Sequence, residues 1–207
     1  MKKKLLSAVV VCALGFIGCG GDDDDTNKPP AVPKFDTVDN IQNYLEGKKL
    51  VMEGDNIPAF PNGFSEDLDL GANSQCYHDT VITVSSRNFK VVSTAGTLRN
   101  VDPQTKIGDC DRTVANGSPQ TFDSKAVLIE NVKADASCFD ISIDYGFKQE
   151  GRGSISADGK TITLELYFEN QALGADCASG AVGAQTVTLN SKPFTGNAKQ
   201  VYTISAQ

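Results

Sequence analysis

The lone histidine, His78, stands beside Asp79, and a His–Asp neighbour pair invites a search for a hydrolytic triad. Adjacent residues on a strand point to opposite faces, and the chain holds no Gly-x-Ser-x-Gly nucleophile turn. His78 therefore reads as an exposed or strand-entry residue rather than a base. Paired carboxylates can cleave glycosidic bonds. Asp140 and Asp144 share one strand face, and Glu165 and Glu169 share another. At alternate positions of a one-sided sheet, these four are expected to face solvent. Ser65-Glu66-Asp67-Leu68-Asp69 and Asp109-Cys110-Asp111 gather acids on loops, but neither fits the calcium-loop pattern D-x-[DN]-x-[DN]-G. A zinc site built on several histidines is impossible with one His. The reading assigns no catalytic residue, no metal ligand and no cofactor; the chain is not read as an enzyme.

Charge narrows the partners. The 207 residues carry 26 acidic and 19 basic side chains, a net charge of −7. Phosphate neutralisation needs clustered Lys and Arg, so nucleic acid is excluded as a partner.

The N-terminus sets the compartment. Met1-Lys2-Lys3-Lys4 is cationic, Leu5 to Ile17 is apolar apart from Ser7, and Gly18 precedes Cys19. These are the marks of an export signal. The apolar run, about 13 residues, falls short of the ~20 that a membrane-spanning helix needs. Phe16-Ile17-Gly18-Cys19 resembles the lipobox of bacterial lipoproteins, with Phe where Leu is usual. Cys12 is preceded by Val9-Val10-Val11 and lacks the small residue before it. The resemblance implies a signal peptide over 1–18 and lipid attachment at Cys19, whose acyl chains would anchor the chain to the membrane. Cleavage there would leave 189 of the 207 residues and, with Lys2, Lys3 and Lys4 gone, move the net charge from −7 to −10. In that class an Asp after the Cys favours the inner membrane; Gly20 stands there, so the outer membrane of the bacterial envelope is expected. Which face of it remains open.

Residues 19–34 hold four consecutive Asp and Pro29, Pro30 and Pro33. With almost nothing apolar to bury, the segment reads as a flexible tether. A single globular domain is expected over 35–207. Thr37 to Gly47 reads as one short helix, capped by Asp36 or Thr37, with Val38, Ile41 and Leu45 on one face. Gly47 suits the residue past its end.

Beyond Gly47 the apolar period becomes two. Strands are expected at Lys48 to Glu53, Val81 to Val84, Phe89 to Val92 and Val127 to Ile129. Phe139 to Phe147 alternates without a break and feeds Gly151 to Ser156. Asp158-Gly159 then marks a hairpin into Thr161 to Phe168, and Gln185 to Leu189 and Gln200 to Ile204 follow. Ile57 to Gln75, Gly96 to Asp123 and Asn170 to Ala181 read as long loops. The fold class is all-β: a single antiparallel barrel or sandwich of about eight to nine strands with one short N-terminal helix.

Cys76, Cys110, Cys138 and Cys177 remain after the signal and the anchor. An even count in an exported chain reads as two disulfides, with three connectivities open. Cys76–Cys110 and Cys138–Cys177 is preferred, because each bond would then clip one long loop to the sheet.

The short helix, the Glu46-Gly47-Lys48 lead-in and the meandering strands are similar in outline to lipocalin-like barrels. The resemblance is architectural, since the family's Gly-x-Trp marker is absent. Two functions are expected from this. One is an anchored module holding a small apolar or amphipathic ligand. The other is a structural envelope lipoprotein with a filled core, meeting a protein partner through its loops. A carboxylate-based hydrolase ranks last.

Overall fold

The computed structural model describes residues 33–53, 76–104, 108–184, 186–189, 191–194 and 198–206. The expected signal segment, Cys19 and the expected tether up to residue 32 lie outside them, as does the expected loop 57–75 with its acidic cluster. The chain forms a helix α1 (Val38–Leu45), then strands β1 (Lys48–Glu53), β2 (Tyr77–Ser85), β3 (Asn88–Arg99), β4 (Asp109–Asp123) and β5 (Ala126–Lys133). There follow β6 (Cys138–Asp144), β7 (Lys148–Ile155), β8 (Thr161–Phe168), β9 (Ala172–Leu173), β10 (Thr188–Leu189), β11 (Lys192–Pro193) and β12 (Lys199–Ala206).

Local chemistry explains the starts and turns. The Thr37 hydroxyl accepts a hydrogen bond from the Asn40 amide and caps α1, and Gly47 takes φ +70° just past its end. The β2–β3 turn places Ser86 and Arg87 at positive φ, 52° and 59°, without help from glycine. The Glu46 carboxylate accepts from both of their amides, at 2.7 and 3.0 Å, and holds the turn closed. Asp158-Gly159 forms the expected β7–β8 turn, and the Tyr44 hydroxyl donates to the Gly159 carbonyl at 2.7 Å, tying α1 to it.

Nine strands form one antiparallel sheet in the order β4-β3-β2-β1-β12-β8-β7-β6-β5. β4 and β5 sit at opposite edges, yet only Ser124 and Lys125 join them. The sheet must therefore coil until those corners meet. At the meeting point Phe122 of β4 stacks edge-on against Tyr145 and Phe147 of the β6–β7 turn. The sheet does not close, so the barrel expectation is corrected. The Ser124 amide donates to the Phe89 carbonyl and the Lys125 amide to the Asp144 carbonyl. The connector is thus bonded to opposite neighbours, and β4 and β5 leave the corner unpaired. α1 packs on β5, and Ile41 and Leu45 join Leu50, Ile129, Phe139 and Ile162 in the main core.

Three further expectations are corrected. The loop expected over Gly96 to Asp123 is largely strand: β3 runs to Arg99 and β4 occupies Asp109–Asp123. β4 is an edge strand with an exposed, non-alternating pattern, so no period of two marks it. The unbroken alternation from Phe139 to Phe147 is not one strand: β6 ends at Asp144, and residues 145–147 turn, with Gly146 at φ +94° reversing the chain into β7. The segment after Asn170 is not simply loop. β9, β10 and β11 form a small sheet, and Tyr167 of β8 is buried with Val187, Leu189 and Ala198 in a second core. β8 is consequently buried on both faces.

A candidate ligand cleft and its supporting staples

Concave-face side chains from the two halves of the coiled sheet leave a cleft of about 220 Å³. Met52, Ile82 and Val91 form one wall, and Ile143 and Leu166 the other. Aromatic rings frame it: Phe147 lies 6.2 Å from Phe122, 5.7 Å from Tyr145 and 5.8 Å from Phe168, centroid to centroid. Phe122 and Phe147 remain 36 % and 43 % exposed, an unusual display for aromatic side chains on a water-facing surface.

The polar groups in the cleft are neutral. Gln120, Gln149 and Gln200 line it, with Thr80 and Ser93, whose hydroxyls bond to each other at 2.7 Å. Tyr77, Tyr145 and Tyr202 complete the lining. Among the described residues, none that lines it is an acid, a base or a histidine. Burial pushes the Tyr77, Tyr145 and Tyr202 phenols up, Tyr202 further because the other two lie close by. All three stay protonated and can donate. The Tyr202 hydroxyl donates to Gln200 Oε1 at 2.8 Å. Among the described residues, the Tyr77 and Tyr145 hydroxyls have no hydrogen-bond partner.

A second groove of about 320 Å³ runs over the outer face of β5–β7, beneath Ala172 to Asp176. It is larger but already engaged. Lys148 pairs with Glu150 at 3.1 Å and Glu169 at 3.4 Å, and Asp140 accepts from Asn131 Nδ2 and the Cys177 amide. Lys148, Glu150, Asp140 and Asp176 are thus engaged within the protein, whereas the cleft offers donors without partners, so the cleft is the better candidate.

The residues singled out for chemistry are structural where they are described. His78 Nδ1 donates to the Arg112 carbonyl at 2.7 Å, which ties β2 to β4. Asp111 pairs with Arg99 at 2.7 Å, and Asp109 accepts from Asn100 Nδ2. Among the described residues, no group of His, Cys, Asp and Glu has the arrangement of a metal site. Glu165, expected to face solvent, is buried instead. It meets Arg152 through Nε and Nη2 at 3.0 and 3.1 Å, and accepts from the Tyr167 hydroxyl and the Gly183 amide. Arg152 gives its remaining donors to the carbonyls of Asp176, Gly180 and Ala184. This pair pins the 174–184 segment across β7 and β8.

Disulfides join Cys76 to Cys110 and Cys138 to Cys177. The first passes over Gly96 of β3, where a Cβ would lie 3.0 Å from Cys76 Sγ and 3.3 Å from Cys110 Sγ. The second anchors the same outer segment that Arg152 holds. None of the four cysteines lines the cleft, although Cys76 directly precedes the lining residue Tyr77.

The sequence reading missed the cleft residues. Only the Phe139–Phe147 alternation hinted at them, by placing Tyr145 and Phe147 on one face. No protein-family model, curated protein or solved structure matches this chain. Its function must be argued from the site itself.

Proposed function

We propose that this chain is a lipid-anchored binding protein of the bacterial envelope, tethered through Cys19, that holds a small ligand in the aromatic-framed cleft. The observation that carries the reading is the cleft: an open, uncharged cavity of about 220 Å³ with exposed rings at its mouth and neutral donors inside. An engineered cavity of about 150 Å³ in another protein takes one benzene. The space here therefore suits a ligand inserting one or two rings or an equivalent apolar group. A filled-core structural lipoprotein would have no reason to keep this volume open. A carboxylate hydrolase is unsupported, since among the described residues no carboxylate lines the cleft.

Two experiments test the two halves of the proposal. Cys19→Ser should abolish acyl labelling and release the protein from membranes; unchanged membrane association overturns the anchor. The neutral fluorophore N-phenyl-1-naphthylamine should bind the purified chain saturably. Ser93→Phe, which fills the cleft from β3, should remove that binding while the far-ultraviolet spectrum is retained. Equal binding by both proteins overturns the cleft as the site.

A further inference from the structure

Granting that the cleft binds a ligand, its chemistry restricts what enters. We infer that the ligand is an uncharged, ring-bearing molecule whose carbonyl or ether oxygen is held by the Tyr77 and Tyr145 hydroxyls. Three observations lead there.

The first is charge. Among the described residues the lining holds no acid, base or histidine, so none of them offsets an ion. A carboxylate or ammonium moved into an apolar site without a counter-ion loses far more hydration than a few neutral dipoles return. A neutral ligand escapes that penalty.

The second is the polarity of the unused groups. Tyr202 already donates to Gln200 Oε1. Tyr77 and Tyr145 have no partner among the described residues, and their phenols are pushed up by burial. A protonated phenol in such a place is best matched by an acceptor. Both phenols line the same cleft. An oxygen has two lone pairs and can accept from two donors, so one acceptor entering the cleft can serve both.

The third is shape. Phe122, Phe147 and Phe168 present ring faces and edges around the same opening, with Phe147 central to both contacts. Flat rings gain from offset and edge-to-face contacts there beyond the area they bury. A flexible alkyl chain would gain only the area.

A naphthalene series tests the inference on the purified chain. The four probes are naphthalene, 2-acetylnaphthalene, 2-naphthoate and 2-naphthylmethylammonium, followed by calorimetry or tyrosine fluorescence. 2-Acetylnaphthalene should bind about tenfold more tightly than naphthalene, the scale of one or two net hydrogen bonds. Both ions should bind more weakly than naphthalene. Tyr77→Phe and Tyr145→Phe should each reduce the ketone's advantage and leave naphthalene affinity unchanged. Equal affinity for ketone and hydrocarbon, or tighter binding of either ion, overturns the inference while leaving the cleft a binding site. Failure of all four probes overturns both. A ketone preference that survives both Phe variants places the acceptor elsewhere and also refutes the assignment.

Discussion

Replacing Arg152 by Met strips the buried Glu165 carboxylate of its counter-ion. The Arg152 side chain is fully buried, and each of its donors is engaged: two on Glu165, the others on the carbonyls of Asp176, Gly180 and Ala184. Met fills similar volume but offers no donor. Glu165 keeps only the Tyr167 hydroxyl and the Gly183 amide. Breaking a buried ion pair by removing one partner costs about 3–5 kcal/mol. The three orphaned carbonyls add less than their nominal sum, because the 174–184 segment can shift towards water. In a protein of this size about 1 kcal/mol moves the melting point by roughly 2–4 °C, so Arg152→Met should lower it by roughly 6–20 °C. Urea unfolding followed by circular dichroism, with disulfides oxidised, measures the change directly. Arg152→Met/Glu165→Leu removes the stranded carboxylate and should recover part of the loss. A single variant within about 1 kcal/mol of the parent, or a double variant less stable than the single, would refute this account of the pair.

Reducing either disulfide should also destabilise the fold. The bonds close loops of 34 and 39 residues, worth about 4 kcal/mol each in the chain-entropy description; equal urea midpoints for Cys138→Ala/Cys177→Ala and the parent would contradict it. Gly151→Ala should disrupt the β7–β8 pairing, since its Cβ would overlap the Glu165 carbonyl oxygen. A cost of about 3 kcal/mol or more is expected, and a parent-like melting curve would show that the backbone yields freely. The Glu46 carboxyl is held below its ordinary 4.5 by the Arg87 and Ser86 amides, and Asp111 below 3.8 by the Thr113 hydroxyl and then Arg99. A depressed folded value stabilises above the unfolded value, and that contribution is lost as pH falls through the folded one. Melting points should therefore drop on acidification below about pH 4.5, less steeply in Glu46→Gln; identical acid limbs would argue against the turn clamp.

Much of the architecture is legible without coordinates, wherever the signal is local. The α1 helix follows from a cap, an apolar stripe and Gly47. β1 coincides with the expected strand, and Asp158-Gly159 turns as its chemistry demands. Strands that bury one face announce themselves by alternation, as β6 does with Phe139, Ile141 and Ile143. The method fails where burial is not one-sided. β4 buries almost nothing, so it reads as loop. β8 is covered on both faces, so Glu165 on its outward face reads as solvent-facing.

The sequence by itself determined an all-β body with a short helix, four cysteines within that body that can pair as two disulfides, and the absence of a recognisable nucleophile or metal motif. Tertiary structure alone decided that the sheet coils without closing, that Arg152 and Glu165 meet beneath an outer segment, and that a cleft exists. The reason is physical. Periodicity records which face of a strand meets a core, but not which strand lies across that core. Phe122 and Phe147 come together because a two-residue connector draws opposite edges of the sheet to one corner. A cavity is space left unfilled between walls from distant parts of the chain, and no single stretch of sequence encodes it.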